Sequence, residues 1–361
     1  MNPDWGQRVL TPAGELRLAR AEIPVAARWG STSLADGRRW PVAGPDGWDL
    51  DGALFLDCES TGLGTGAGVV AFLVGLARFV ANTLVIEQWV LDDFDDEPAL
   101  LAQVGAALGD ARGLVTYNGR AFDWPLLQTR FVLGRRPPPD LLCHADLLHL
   151  SRRLWRHQLL SCSLTDVETN VLGVRRPADV PGSLIPALYG RYLDSRDPRI
   201  LAPILQHNRH DLLALVALAG HLGQLAVATA PAGAASLDAA RLADWLGDWP
   251  RAEELYREAL ARPLLAEESN RIRLHLAATY KRQGAWDEAA GLWQAAAATG
   301  GPLGVRAAEE LAKYLEHRRH DPGAARPVVC GALVGLCPDD PRRPRLLHRL
   351  GRLDRRLARR T

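Results

Sequence analysis

The sequence predicts an α/β domain built on a mixed sheet with flanking helices, followed by an all-α domain of repeated helices. Three observations predict it. Strand-like runs come first, at residues 53–58, 69–80 and 83–91, close enough in sequence to form an antiparallel meander. The pattern then switches to alternating helix and strand, which brings later strands in parallel and covers the sheet with helices. Beyond residue 230 no strand signal remains, and a self-similar helical pattern takes over.

At 361 residues the chain exceeds the usual size of one domain. Its 47% apolar and 24% charged content is ordinary globular usage, which excludes disordered, fibrous and small disulfide-rich classes. The five cysteines, Cys58, Cys143, Cys162, Cys330 and Cys337, form no C-x-x-C pair and read as reduced and intracellular. The opening "MNPDWGQRVLTPAGELRLAR" has no apolar stretch after a basic start, so a cytoplasmic location is expected rather than export. The run "LLALVALAGHLGQLAVATA", residues 212–230, is long enough to span a bilayer. It contains His221, Gln224 and two glycines and follows "HNRHD" directly, so it reads as a buried core helix, with no membrane partner.

Residues 1–49 are rich in Gly, Pro and Trp without a sustained period and read as an irregular N-terminal extension with room for one short strand. The α/β domain is placed at 50–228. After the first strand, "AN" at 81–82 fits a tight hairpin between the next two. "EPALLAQVGAALGD" then reads as a helix, "GLVTYN" as a short strand, "FDWPLLQTRFVLG" as a helix, and "DLLCHADLLHLSRRLW" as a strand running into a helix. "APAGAAS" reads as a linker, and the helical domain is placed at 236–361.

Within that domain "LGDWPRAEELYREAL" (246–260) aligns with "QGAWDEAAGLWQAAA" (283–297) at a spacing of 37, and "HRRHDPGAARPVVCGAL" (317–333) is a degenerate third copy. Stacked helical hairpins repeat in this way. The units resemble tetratricopeptide repeats, with Ala252, Ala289 and Ala325 at close-packing points, and imply a docking surface for a protein partner. The last 21 residues hold nine arginines against one aspartate, leaving about −7 on the rest of a chain of net charge +1. Such an end suits either polyphosphate contact or a solvated amphipathic helix, since Leu346, Leu347, Leu350, Leu353 and Leu357 recur at helical spacing.

The chemistry concentrates in three segments. In "LFLDCESTGLGTG", Asp57 and Glu59 are one residue apart on a strand and point to one side, with Cys58 to the other. Alone, such a pair is as readily a turn cap as a metal pair. "LVTYNGRAFDWPLL" places Asn118 and Gly119 at a strand exit, where α/β sheets bind ligands, and Asp123 in the first turn of a helix. "HNRHDLLALVAL" sets His207 and Asp211 four apart on one helix face, while His210 projects elsewhere and reads as structural. Asp57, Glu59, Asp123 and Asp211 with His207 are the parts of a hydrolase that uses two divalent ions, Mg²⁺ or Mn²⁺, with His207 as base. The rival phosphate-loop reading of "GLGTGAG" fails: the stretch never fits G-x-G-x-x-G, no lysine follows, and a strand comes next.

Together, "FLDCESTGL", "LVTYNGRAFDWPLLQTR", "DLLHLSRRLW", "DVPGSLIPALY" and "HNRHDLLAL" resemble the YprB-type ribonuclease H-like domain of the DnaQ-like (DEDD) 3′–5′ exonuclease superfamily, over roughly residues 50–225. The resemblance implies a ribonuclease H-like fold and places the four acidic metal ligands on Asp57, Glu59, Asp123 and Asp211. His207 stands four residues before Asp211, where tyrosine-type members carry their tyrosine, and Gln206 holds the five-before position. Thr61, Gly62 and Leu63, with Tyr117, Asn118 and Phe122, are the expected substrate contacts; Tyr117, Phe122 and Trp124 suit base stacking or core packing. Asp146 reads as a helix cap and Asp179 as a turn residue. The expected activity is a metal-dependent 3′–5′ exonuclease acting on the 3′ end of single-stranded DNA or RNA. The alternatives are an inactive nucleic-acid-binding scaffold working through its repeats, and a phosphatase or endonuclease on the same fold.

Overall fold

A computed structural model of the chain describes residues 5–38, 52–62, 64–141, 143–228 and 234–359. The chain divides into two compact units, Met1–Val227 and Ala228–Thr361.

In the first unit the strands are β1 (Gln7–Thr11), β2 (Gly14–Pro24), a small hairpin of β3 (Arg28–Trp29) and β4 (Thr32–Ser33), β5 (Ala53–Ser60), β6 (Ala71–Val80), β7 (Thr83–Val90), β8 (Gly113–Thr116) and β9 (His144–Asp146). The helices are α1 (Glu97–Gly109), α2 (Asp123–Leu133), α3 (Leu147–Trp155), the short α4 (Leu164–Val167) running into a π turn (Glu168–Leu172), α5 (Ile185–Ser195) and α6 (Leu201–Val227). The main sheet has the order β1-β2-β7-β6-β5-β8-β9. Its first five strands pair antiparallel, and β5, β8 and β9 run parallel to one another. This is the expected mixed sheet, and β5 lies inside it, flanked by β6 and β8.

The meander forms where apolar side chains fill both faces of a central strand: every residue of β6 from Ala71 to Ala77 is buried. β6 and β7 are joined through Ala81 and Asn82, with Ala81 at φ 48°, as the left-handed conformation of a two-residue hairpin requires. Helix α6 packs against β5, β6 and β7, and the apolar run 212–230 falls largely on it. α6 belongs to a helical stretch long and apolar enough to cross a membrane, with 72% of its most apolar window buried inside the fold.

The N-terminal reading needs correction. Instead of an irregular extension over 1–49, the region carries β1 and β2, and the eleven-residue β2 pairs with β7 along the sheet. Arg8, Arg17 and Arg20 interrupt the apolar pattern; Arg8 and Arg17 bind the distant Asp92, and Arg20 pairs with Glu22 at 3.0 Å and faces Glu87 at 3.6 Å. Such long-range neutralisation leaves no local signature.

Among its described residues the second unit has helices and no strand: α7 (Ala234–Leu246), α8 (Trp249–Leu260), α9 (Ala266–Gln283), α10 (Trp286–Ala297), α11 (Gly301–His317), α12 (Pro322–Val334) and α13 (Arg343–Ala358). Consecutive helices pack on one another, and Ala252, Ala289 and Ala325 are fully buried. On α13, Leu346 and Leu353 join the core while Arg349, Arg352 and Arg356 all converge on Glu316 of α11, which has no exposed surface on its side chain. Those three arginines anchor a helix. Of the expected linker "APAGAAS", 230–233 lies outside the described residues and 234–236 opens α7 instead.

Candidate active site

The alternation of β5 turns Cys58 into the apolar core and leaves Asp57 and Glu59 on the other side, half-buried and still reached by solvent. In the sheet Asp57 lies beside Gly75 of β6, and Gly75 lies beside Gln88 of β7. Across this row sits Asn208 of α6, fully buried. Its amide donates to Asp57 Oδ2 at 2.8 Å and to the Asp57 carbonyl at 3.1 Å, and its Oδ1 accepts from Gln88 Nε2 at 2.8 Å. Only glycine fits beneath it, because a Cβ on Gly75 would stand 2.1 Å from Asn208 Oδ1.

Asp123 opens α2, nearly enclosed at 5% exposure, and accepts a hydrogen bond from the Cys58 amide at 3.2 Å. This bond ties the helix end to the strand between the two acids. The loop before α2 is pinned by Asp146, which accepts from the amides of Asn118 (2.8 Å) and Arg120 (3.1 Å) as well as capping α3 through Leu148 N (3.0 Å). Asn118 takes φ 64°, a left-handed conformation that asparagine tolerates.

From α6, His207 and Asp211 reach the same region. His207 Nδ1 lies 3.1 Å from Asp179 Oδ2, and its Nε2 lies 3.6 Å from Asp211 Oδ2. A carboxylate only accepts, so Nδ1 carries the proton toward Asp179, while Nε2 faces the second carboxylate, Asp211. Arg176 donates to Asp211 Oδ1 at 2.6 Å. His210 turns away and packs its ring 5.3 Å from that of Trp29, as its helical phase predicts.

The acids feel one another. Burial, then the charges of Asp211, Glu59 and Asp123, push Asp57 well above the usual carboxylate range, against the pull of the Asn208 hydrogen bond. Burial, then Asp211, Asp123 and Asp179, push Glu59 the same way. Burial pushes Asp123 up to about 7, with the Cys58 amide pulling it back. Crowded oxygen donors that destabilise each other's ionisation are the donor set a hard divalent cation relieves. Among the described residues, no three His, Cys, Asp or Glu side chains already stand in a ligating cluster, so these acids share a field without yet sharing a coordination sphere.

The expected substrate contacts are placed unevenly. Thr61 closes its own loop, its amide donating to the Val70 carbonyl and its hydroxyl accepting from Val70 N, both at 3.0 Å. Gly62 accepts from the Ser60 hydroxyl, and Leu63 lies outside the described residues. Tyr117 is anchored through its hydroxyl to the Cys162 carbonyl at 2.7 Å, Trp124 packs on the core, Phe122 is half-buried, and Asn118 is exposed. Sequence reasoning missed Asn208, Gln88, Gly75 and Arg176, and left Asp179 in a turn. Asp179 does bond the Val180 amide at 3.1 Å, but its other oxygen reaches His207.

The fold and the acid-lined end of β5 define a class. The family RNase_H_2 of the RNase_H superfamily matches residues 54–223, and the chain belongs to that superfamily, which points to a nuclease-type hydrolase. Over 318 residues it is 35% identical to "Uncharacterized protein YprB" of Bacillus subtilis (strain 168), a match covering 86% of this chain and 76% of the relative.

Proposed function

We propose that the protein is a metal-dependent nuclease of the DEDD type that trims single-stranded DNA or RNA from the 3′ end. The observation that carries the reading is the shared field of Asp57, Glu59, Asp123 and Asp211, brought together from β5, α2 and α6. When bound, two Mg²⁺ or Mn²⁺ ions supply positive charge to the attacking and leaving oxygens of a phosphodiester. Asp57, Glu59, Asp123 and Asp211 would hold them. Asn208 holds the Asp57 carboxylate in one orientation. Asp179 holds the His207 ring so that Nε2 faces Asp211, where it can take the proton of an attacking water. Asn118, exposed at the exit of β8, and the ring of Tyr117 would meet the terminal nucleotide.

The second unit supports a further role. Its helical pairs with buried Ala252, Ala289 and Ala325 suit a tetratricopeptide-like docking surface for a protein partner, and a cytoplasmic setting suits the free cysteines.

The test is hydrolysis of 5′-labelled single-stranded DNA and RNA with Mn²⁺, Mg²⁺ or EDTA. The wild type is expected to give a ladder shortening from the 3′ end, abolished by EDTA and by Asp57→Ala or Asp211→Ala. Equal activity in either variant would sink the metal assignment. Nucleic-acid binding without any cleavage would favour the scaffold reading instead.

A further inference from the structure

Arg176 stands where three carboxylates meet, its side chain only 4% exposed. Toward α6, Nη1 donates to Asp211 Oδ1 at 2.6 Å and to Asp179 Oδ2 at 3.2 Å. Behind it, Nε lies 2.7 Å from Oε2 of Glu168, whose side chain is fully enclosed, and Trp29 Nε1 donates to Oε1 of the same glutamate at 2.6 Å. Arginine and glutamate touch there as ions, without the alignment of a hydrogen bond. A guanidinium this enclosed requires balancing charge. Glu168 supplies it, and Asp211 and Asp179 share what remains.

Two consequences follow for Asp211. Its Oδ1 is committed to Arg176, while Oδ2 faces His207. An acid held in this way offers one oxygen to a cation, and the fixed positive charge beside it opposes that cation's arrival.

Building on the nuclease reading, we propose that Arg176 is a positioning residue acting through Asp211. It holds that carboxylate as a one-oxygen ligand and, with Glu168 as its counter-charge, sets how tightly the site takes a divalent cation. Neither residue was visible as part of the site in the sequence, because Glu168 and Arg176 lie in the connection between α4 and α5, outside every acidic motif.

The test is calorimetric titration of the full chain with Mn²⁺ alone, with single-turnover cleavage of a labelled oligonucleotide in parallel. Arg176→Gln should tighten Mn²⁺ binding on the order of tenfold, the effect of one unit charge on a divalent ion across about 6 Å at water-like dielectric. Its cleavage rate at saturating Mn²⁺ should nevertheless fall, because Asp211 is no longer held. Glu168→Gln keeps the shape but leaves the guanidinium less compensated, and should weaken Mn²⁺ binding. A merely structural ion pair would move both variants the same way or neither, and either result overturns the proposal. Should Arg176→Gln fail to fold with Glu168 buried and unpaired, the double variant Arg176→Gln/Glu168→Gln removes both charges and should bind Mn²⁺ more tightly than Glu168→Gln alone; equal or weaker binding overturns the proposal. A wild-type chain that takes up no Mn²⁺ overturns the metal reading and this one together. Wild-type binding with unmoved variants overturns this one only.

Discussion

Asn208 links Gln88 to Asp57, and its loss would break a hydrogen bond on each side. Asn208→Leu takes one of the two hydrogen bonds of the Gln88 amide, which keeps the Leu205 carbonyl at 2.7 Å, and removes the partner of an Asp57 oxygen, which should cost about 1–3 kcal/mol. Thermal unfolding should reveal that loss, and cleavage should fall further than stability alone explains, because Asp57 becomes free to rotate. An active variant of unchanged melting temperature would show that the bridge is idle. The four acids and His207 could be picked out from the sequence because carboxylate spacing on a strand or helix is a local property. Asn208 could not, although it lies within "HNRHD", since its meaning depends on a carboxylate 151 residues away. Asp179 was hidden by an honest local role, its bond to Val180.

At the level of elements, β5, β6 and β7 match the strand-like runs closely, because apolar strands covered by helices announce themselves in any window. β1 and β2 do not, since arginines on a paired strand are intelligible only with Asp92 and Glu87 in view. β9, three residues long, is too short to carry a period. The closest approach in the site is also an element property: Gly75 gives α6 its seat over β6. Gly75→Ala forces Asn208 off Asp57 and should cost about 1–3 kcal/mol of overpacking. Urea unfolding would measure the loss, and an unchanged midpoint would show that α6 shifts freely. On the proposed nuclease function, the variant should also lose most of its cleavage activity.

Across the whole molecule, each unit has its own core and its own electrostatic pin. In the first, Asp92 collects Arg8, Arg17 and Tyr192, tying β1, β2 and α5 to the end of β7. Burial pushes the Asp92 carboxyl up, but hydrogen bonds from Arg17, Tyr192 and Arg8 prevail and hold it below its ordinary value. Its contribution is therefore present above the unfolded pKa of about 3.9 and lost as pH falls through the lower folded value. Acid unfolding followed between pH 5 and pH 2 should be less steep in Asp92→Asn, and an identical profile would remove Asp92 from the account. In the second unit, Glu316→Ala leaves Arg349, Arg352 and Arg356 without their shared acid. The arginines left behind reach water, Arg356 being 49% exposed, so the loss should be about 1–3 kcal/mol, and calorimetry should show one transition lowered and one unmoved. The arginine count fits phosphate contact and a solvated amphipathic helix equally; the packing of three of those arginines on Glu316 could not be read from composition.

The hairpin at Ala81 and Asn82 reaches further than its size. It fixes the pairing of β6 with β7, so that Gly75 rather than Val74 or Leu76 lies beside Gln88. A slip of one residue would put a branched side chain where Asn208 must sit and would turn the strand's other face outward. A mispaired chain therefore cannot bring Asn208 to Asp57. Folding errors in this sheet should yield molecules without the candidate site rather than ones with an altered site, and the turn serves as quality control on residues it never touches.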